Sequence, residues 1–351
     1  MFDKEIISID IGSQNTKIAV GRQQGNTVQL GTALMFATPA NSLEDGKILD
    51  MGRLTEAIRK AISEHKIKAK KAVITIESTS IIRREIELPA AKPEELDTMV
   101  RYEVEQYLPI MMSEYIIEYK IIDEYTAEEI KKYKLLVAAM PRTLAEDFLQ
   151  MVKNLGLNPF AMDINSNAIA KLFSTKNMVG TQPYDPEKTV AILDMGHSYI
   201  SLTILSKGTT RFSRLIGAGG YDIDSNLSNT FHLEIKEAEE RKKKEADMNS
   251  ESANPLVNDA VRGTVEEWIT EIQRMFQYYT SRDNKNKLDE IYIYGGSSNL
   301  KGLAEHLKSQ LNLPVYPIQE LSSIKLGKQD IQVEYFLNAI GAMIRKQQVR
   351  R

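Results

Sequence analysis

The sequence predicts an α/β protein with two related halves around a cleft and a third, inserted subdomain. Two segments that lie 184 positions apart share one pattern: an apolar strand ends in Asp-x-Gly, and a polar turn and a second strand follow. A third apolar strand ends in a Gly-Gly pair, and a stretch of about 80 residues inside the first half has its own strands and helices. A repeat of this length indicates duplicated domains rather than a solenoid.

The first half begins with a β-branched run that ends at Gly12. Residues 16–20 resume an extended pattern, so the two runs predict a β-hairpin with Asp10 near its tip. Apolar residues within 54–67 recur at a helical spacing, and residues 72–76 form an apolar run typical of a buried strand.

The segment 79–159 predicts the inserted subdomain, with the order β-α-β-β-α. Its first strand stops at Pro89, and Pro93 stands where a helix would begin. After two more strands, Thr143 is predicted to cap a last helix that stops at Gly156.

The second half repeats the hairpin around Asp194 and Gly196. A charged run at 234–247 predicts a solvated helix, and apolar positions within 257–276 predict a long amphipathic one. The predicted boundaries are 1–78, 160–185 and 330–351 for the first half, 79–159 for the insert, and 186–329 for the second half, with a smaller helical subdomain at about 222–287.

Composition excludes several classes of function and names none. The chain has 351 residues and a net charge of -3, from 45 Lys plus Arg against 48 Asp plus Glu, which gives no support for electrostatic binding of nucleic acid. It has no cysteine, so it has neither disulfides nor a thiolate zinc site. Its start is charged where a signal peptide is apolar, and its longest uncharged passage is too polar to span a membrane. We therefore expect a cytoplasmic protein without direct membrane insertion.

The repeated Asp-x-Gly turns are suited to phosphate and magnesium. Glycine lets a turn approach phosphate oxygens closely, and neighbouring hydroxyl and amide side chains add donors. Asp10 and Asp194, one before each turn, could hold the waters of a magnesium ion that bridges the phosphates. The pair Gly295-Gly296 would let a ligand pack on the backbone at a helix start. The P-loop and dinucleotide-binding motifs are both absent from the sequence.

Together these motifs resemble those of the actin-like ATPases, whose fold is ribonuclease H-like and which include actin, sugar kinases and heat-shock chaperones. DIGSQNTKIAV is similar to their first phosphate loop, LDMGHSYISLTIL to their second and IYIYGGSSNLKGLAEHL to their adenosine loop. MDINSNAIAKLF resembles the helix that connects the halves, and RLIGAGGYDIDSNLS resembles the strand-to-helix corner of the second half. The resemblance covers essentially the whole chain and implies that it binds ATP and Mg²⁺.

The resemblance also implies which residues meet the nucleotide. Asp10 and Asp194 are implied at the magnesium ion, through water. The residues implied at the nucleotide itself are Gly12, Ser13, Gln14, Asn15, Lys17, Gly196, His197, Ser198, Gly219, Gly220, Glu239, Lys242, Gly295, Gly296, Ser297 and Ser298.

Four of these residues have plainer interpretations. For His197 the sequence favours a non-catalytic turn residue, because phosphate binding there needs only backbone N–H groups. Lys17 is explained equally well as a solvated residue on an outgoing strand. Glu239 and Lys242 belong to a helix that is charged along its length, so without the resemblance we would place them in solvent.

The insert narrows the resemblance to one branch, that of the bacterial FtsA and PilM proteins. MVRYEVEQYLPIMMSEYIIEY is similar to the PilM version. This implies an ATP-binding scaffold of the type IV pilus platform that binds the N-terminal cytoplasmic tail of the membrane protein PilN, and through it reaches the inner membrane. Other platform proteins are further candidate partners. The alternatives are a filament-forming division protein of the FtsA type and a small-molecule kinase of the same fold.

One departure from the family pattern concerns hydrolysis. Active relatives carry a glutamate at the start of the connecting helix, where this sequence has Asn165. An amide is no general base, and Asp163 is expected to point elsewhere. No catalytic residue is therefore implied, and we expect slow or absent ATP hydrolysis.

The basic cluster at the C-terminal end raises a separate question, whether the last helix binds membranes. Arg345, Lys346, Arg350 and Arg351 could resemble the end of the membrane-binding helix of FtsA. However, no linker precedes Tyr335, and the helix that follows is apolar nearly all round. The sequence therefore favours a buried terminal helix.

Overall fold

The structure, a computed structural model, describes residues 5–107, 111–249, 254–283, 286–327 and 330–345. The elements of the first segment are β1 (Ile6–Ile11), β2 (Asn15–Gln24), β3 (Thr27–Ala37), β4 (Leu43–Glu44), β5 (Lys47–Ile48), α1 (Met51–Glu64) and β6 (Lys71–Ile76). Those of the predicted insert are β7 (Ile82–Pro89), α2 (Pro93–Tyr107), β8 (Tyr115–Ala127), β9 (Ile130–Pro141) and α3 (Arg142–Asn154).

The chain then returns to the first half and enters the second. The return comprises β10 (Asn158–Ile164), α4 (Asn165–Leu172), β11 (Asn177–Val179) and β12 (Gln182–Tyr184). The second half has β13 (Thr189–Met195), β14 (Ile200–Ser206), β15 (Thr209–Ile216), α5 (Gly220–Phe231), α6 (Ile235–Glu245), α7 (Pro255–Ser281), β16 (Glu290–Tyr294), α8 (Leu303–Leu311) and β17 (Val315–Pro317). The described chain ends with β18 (Ile324–Leu326) and α9 (Leu337–Met343).

Two sheets with the same topology form the centre of the molecule. One has the strand order β10-β6-β1-β2-β3-β18, and the other has β15-β14-β13-β16-β17. In each, a meander of three antiparallel strands is extended by parallel strands. Even the register repeats, because Asp10 pairs with Lys17 and Asp194 pairs with Ser201 at the same 184-residue offset. The predicted relation between the halves is thereby confirmed.

The helices α4 and α9 lie side by side where the two halves join. Both pack into one core with strands of both sheets. A Cβ atom added to Gly341 would lie 2.1 Å from the carbonyl oxygen of Ala168, so glycine is what allows the two helices to approach so closely. Every residue of α9 is buried, which confirms the predicted buried helix; Lys346, Arg350 and Arg351 lie outside the described residues.

The insert has a three-stranded antiparallel sheet, in the order β7-β9-β8, covered by α2. The predicted element order is confirmed, whereas the cap of α3 is not. Thr143 lies inside α3, because the helix begins at Arg142 directly after Pro141, the last residue of β9 and the N-cap residue of the helix. The apolar face of α3 packs on α1 and the first-half sheet rather than on the insert. The domain boundaries stay a prediction.

The segment after β16 also differs from the sequence interpretation, which placed the start of a helix at Gly295-Gly296. Gly296–Asn299 form a short 3-10 turn, and α8 begins only at Leu303, so Leu300 lies between the two. In the described segments, none of the helices is both long and apolar enough to cross a membrane.

Candidate functional site

The two repeated hairpins have equivalent turns. The Gly12 N–H donates to the Asn15 carbonyl at 3.0 Å, and the Gly196 N–H donates to the Tyr199 carbonyl at 3.0 Å. A Cβ atom would lie 3.0 Å from the same carbonyl oxygen at Gly12 and 2.7 Å at Gly196. These glycine N–H groups therefore close the turns, and the sequence needs glycine there because a side chain would press on the turn itself.

The tips of the hairpins meet across the cleft between the halves. The Oγ atoms of Ser13 and Ser198 lie 2.8 Å apart. The Gln14 side-chain amide donates to the Glu239 carboxylate at 2.8 Å. The structure thus brings residues of the first predicted loop against both the second loop and α6.

Asp10 lies at the end of β1 and is almost fully buried. The Lys17 ammonium, directly opposite on β2, lies 3.2 Å from its carboxylate. Burial acts to lower the pKa of Lys17, but the charges of Asp10 and Asp194 together raise it above its ordinary value. Lys17 therefore faces the cleft between two carboxylates, and is not a solvated strand residue.

Asp194 occupies the equivalent position in the second half but has different neighbours. The Asn338 side-chain amide, on α9, donates to its carboxylate at 2.7 Å, and the Tyr294 hydroxyl donates to the Asn338 carbonyl at 2.8 Å. Burial raises the pKa of Asp194 to about 6, against the opposing effects of Lys17 and Asn338. Sequence reasoning missed Asn338 and Tyr294; a lone asparagine in an otherwise apolar helix is the signal that could have found Asn338.

A third carboxylate at this edge, that of Glu77, was also missed. It follows the end of β6, whose Thr75 pairs in register with Asp10. Glu77 forms a buried ion pair with Arg83 at the start of β7. Burial nevertheless raises the pKa of Glu77, and its negative charge helps to raise that of Asp194.

The strand-to-helix corner of the second half closes onto the second loop. The Gly196 carbonyl accepts from the Gly220 N–H at 3.0 Å and from the Ser297 hydroxyl at 3.1 Å. A Cβ atom on Gly219 would lie 2.3 Å from the His197 carbonyl oxygen. The three predicted motifs of the second half therefore meet at one point, with room there for glycine only.

The predicted adenosine loop begins at Gly295, which has a φ of 91°. A Cβ atom there would lie 2.5 Å from the Asp194 carboxylate. The Ser298 hydroxyl donates to the Gly295 carbonyl at 2.7 Å and is buried, while Gly296 is exposed. The loop thus packs on Asp194 and leaves Gly296 open to solvent.

Helix α6 is solvated along most of its length, yet Glu239 and Lys242 face inward. The Lys242 ammonium lies 2.7 Å from the buried carboxylate of Asp224 and donates to the Gly220 carbonyl at 3.1 Å. Lys243 is exposed and pairs with Glu239. The structure therefore contradicts the plain interpretation that placed Glu239 and Lys242 in solvent.

His197 lies in the second turn with its ring edge-on to Tyr221, 5.4 Å between ring centres. Burial, and then the nearby Lys242 charge, lower its pKa. The ring thus stays neutral near pH 7.

The profile of the family described as "Type IV pilus assembly protein PilM" matches residues 8–346. The chain belongs to the PilM family.

Solved structures show the same actin-like fold. The PilM-family chain is similar to a chain of a "PilM-PilN type IV pilus biogenesis complex", with a TM-score of 0.81 and 21% identity over 96% of this chain and 97% of that one. It is similar to the ethanolamine utilization protein EutJ from Carboxydothermus hydrogenoformans, with a TM-score of 0.59 and 15% identity over 98% of this chain and 90% of that one. It is also similar to MreB5 of Spiroplasma citri bound to AMPPNP, with a TM-score of 0.56 and 12% identity over 96% of this chain and 94% of that one.

In this PilM-family chain, the start of the connecting helix carries no carboxylate toward the cleft. Asn165 begins α4 and is buried, and its side-chain oxygen has no hydrogen-bond partner among the described residues. Asp163 is held by Lys171 at 2.6 Å and by Arg345 at 3.3 Å, and accepts from the Asn167 amide at 2.8 Å. The Asp163 carboxylate is therefore engaged by two cations and an amide, and its pointing elsewhere stays a prediction.

Proposed function

We propose that this PilM-family chain is an ATP-binding scaffold of the type IV pilus inner-membrane platform that holds the cytoplasmic N-terminal tail of a PilN protein. The observation that carries the proposal is the family match over residues 8–346, which includes the inserted subdomain. The likeness to a chain of a PilM-PilN complex supports the partner. In this proposal the protein works in the cytoplasm, and the tail recruits it to the inner membrane.

ATP would bind between the halves. The meeting of Ser13 with Ser198 and of Gln14 with Glu239 supports this, because each pair brings donors or acceptors of both halves to one point. The AMPPNP complex of MreB5, which has the same fold, supports it further. The proposed phosphate residues are Gly12, Ser13, Gln14, Asn15, Lys17, Gly196, His197 and Ser198; the proposed nucleoside residues are Gly219, Gly220, Glu239, Lys242, Gly295, Gly296, Ser297 and Ser298.

The donor set fits a magnesium ion. Asp10 and Asp194 lie at equivalent strand ends, one in each half. The positive charge of Lys17 lies close enough to interact with both carboxylates. Asp10 and Asp194 would hold the ion through its waters, since magnesium keeps most of its hydration shell. The ion would neutralise phosphate charge; Lys17 would contribute a fixed positive charge on the first-half side.

Hydrolysis would be slow because Asn165 lacks the basicity to accept a proton from water. The nucleotide would then act as a clamp between the halves. Purified protein should turn ATP over more slowly than about 1 per second, an ordinary enzymatic rate. Faster turnover would contradict the clamp.

The partner assignment is tested by calorimetry with a synthetic peptide of the N-terminal cytoplasmic residues of PilN. We expect saturable binding to the wild type and no binding of a scrambled peptide of the same composition. A peptide that binds no better than its scrambled control would refute the partner.

The family match favours this function over the two alternatives. An FtsA-like protein would pellet with vesicles without a partner, and would lose that property when its last ten or so residues are deleted. A small-molecule kinase would consume ATP faster in the presence of an acceptor. Neither behaviour is expected here.

A further inference from the structure

The insert contacts the second half through two ion pairs. Arg282, directly after α7, has its guanidinium 3.0 Å from the Glu85 carboxylate on β7. Arg211 on β15 has its guanidinium 3.3 Å from the Asp123 carboxylate on β8. We call these four residues the clasp. The clasp joins two parts of the chain that are linked covalently only through the first half.

The clasp pairs are partly shielded from water. The Glu85 side chain is 10% exposed and also lies 3.6 Å from the Lys134 ammonium on β9. The Arg211 side chain is 18% exposed, whereas Asp123 is 53% exposed. Each pair thus has one partner held in place by its surroundings, which strengthens an ion pair relative to two free surface chains.

The strands that carry Glu85 and Arg211 both lead toward the candidate site. On the insert side, Glu85 lies two residues along β7 from Arg83, which pairs with Glu77 at the cleft edge, so Arg83 and Glu85 project from the same face of the strand. On the other side, β15 carries Arg211 and runs directly into the corner at Gly219 that closes onto the second loop. The two clasp strands therefore connect the insert contacts with Glu77 on one side and with the corner at Gly219 on the other.

We propose that the clasp couples closure of the cleft around a nucleotide to the position of the insert, so that nucleotide and a partner bound at the insert change each other's affinity. The inference rests on the proposed function, because it regulates the same site. Ser13 and Ser198 join the halves at the cleft, and the clasp joins them at the insert. A rotation that opens the cleft pulls on the clasp, and by linkage the effect is reciprocal.

The test measures the affinity for ATP with Mg²⁺, and for the PilN N-terminal peptide, by calorimetry. Arg211→Asp sets two carboxylates against each other and should weaken ATP binding about fivefold, although neither clasp strand carries a phosphate loop. The swapped pair Arg211→Asp with Asp123→Arg should recover to within about twofold of the wild type. Arg282→Glu, in the other ion pair, should also weaken ATP binding. The difference in ATP affinity between this variant and the wild type should be smaller at high salt, because screening then weakens the ion pairs of the wild type as well.

The matched control is Arg274→Glu, which reverses a charge on α7 whose partner, Glu271, lies on the same helix. It should leave the affinity for ATP unchanged. The clasp is overturned if Arg211→Asp binds ATP like the wild type, or if the swapped pair stays as weak as the single variant. Peptide that alters ATP affinity equally in wild type and Arg211→Asp also overturns it.

Failure of the proposed function is recognised separately, because the wild type itself would then bind no ATP. The clasp is in that case tested by backbone hydrogen exchange. Exchange in β8 should be faster in Arg211→Asp than in the wild type, and slow again in the swapped pair. Equal exchange in all three proteins would overturn the clasp.

Discussion

The two central hairpins have the same backbone and different chemistry. Both have the same pairing register and the same glycine turn, at an offset of 184 residues. Opposite Asp10 stands Lys17, which gives the first carboxylate its own cation. Opposite Asp194 stands Ser201, so Asp194 has no cation in its own hairpin; it accepts from an amide of α9 and is influenced by Lys17 from the other half.

This difference shows what a duplicated scaffold preserves. Strand pairing and the close approach at the turn depend on backbone geometry, so both copies keep them. The charges depend on single side chains and have diverged. As a result, Asp10 has an ion-pair partner within its own hairpin, whereas Asp194 has none there and burial raises its pKa to about 6.

Replacing each aspartate by asparagine should give the largest difference in stability between the two hairpins. Asp10→Asn leaves the largely buried Lys17 ammonium without its partner, and we expect the free energy of unfolding to fall by about 2 kcal/mol. Asp194→Asn keeps an acceptor for Asn338 and removes a charge that burial disfavours, so its change should stay below about 0.5 kcal/mol. Urea unfolding measures both, and equal losses would contradict the asymmetry. Both variants should bind ATP more weakly.

The equivalent glycines should give the next largest difference. A Cβ atom would lie 2.7 Å from the carbonyl oxygen of Tyr199 at Gly196, and 3.0 Å from that of Asn15 at Gly12. We expect Gly196→Ala to cost about 2 kcal/mol of unfolding free energy and Gly12→Ala about 1 kcal/mol, because a tighter contact forces more backbone movement. Gly217→Ala, where a Cβ atom meets nothing within 4 Å, is the control. The reverse order of the first two would contradict the claim that the closeness of this contact sets the cost.

Asn338→Ala tests how much the α9 amide that donates to Asp194 contributes to stability. It removes the donor to Asp194 and the acceptor of the Tyr294 hydroxyl, both inside the protein, at a cost of about 1.5 kcal/mol in unfolding free energy. Asn299→Ala removes a hydrogen bond to Tyr335 at an exposed position and should cost less than about 0.5 kcal/mol. Thermal unfolding compares the two, and a loss at Asn299 as large as that at Asn338 would contradict the role of the buried amide.

The sequence predicted the scaffold well because strand alternation and the Asp-x-Gly turns are local patterns. The equivalence of Asp10 and Asp194, and the buried terminal helix, followed from such patterns. Asn338 could not be placed, because its contact with Asp194 spans 144 positions and depends on how α9 packs. Glu77 was missed for a similar reason, since a glutamate after a strand is ordinarily a solvated residue and only the sheet order sets it beside Asp10.

Helix boundaries gave the smaller errors. Thr143 is a good N-cap residue by type, but β9 continues to Pro141 and α3 begins directly after it, at Arg142. Leu300 continues the apolar spacing of α8, yet the 3-10 turn after Gly295 delays that helix to Leu303. In both cases a local backbone conformation overrode a side-chain pattern.

The hydroxyl pair at the hairpin tips should give the smallest effect. Ser13 and Ser198 lie 2.8 Å apart in an exposed position, so Ser13→Ala and Ser198→Ala should each cost less than about 0.5 kcal/mol of unfolding free energy. Because the pair joins the halves rather than stabilising either one, a double-mutant cycle should still give a non-zero coupling energy. Ser206, at the far end of β14, is the control, and its cycle with Ser13 should give none. A coupling energy no larger than that of the control cycle would mean that the tips are not joined in solution.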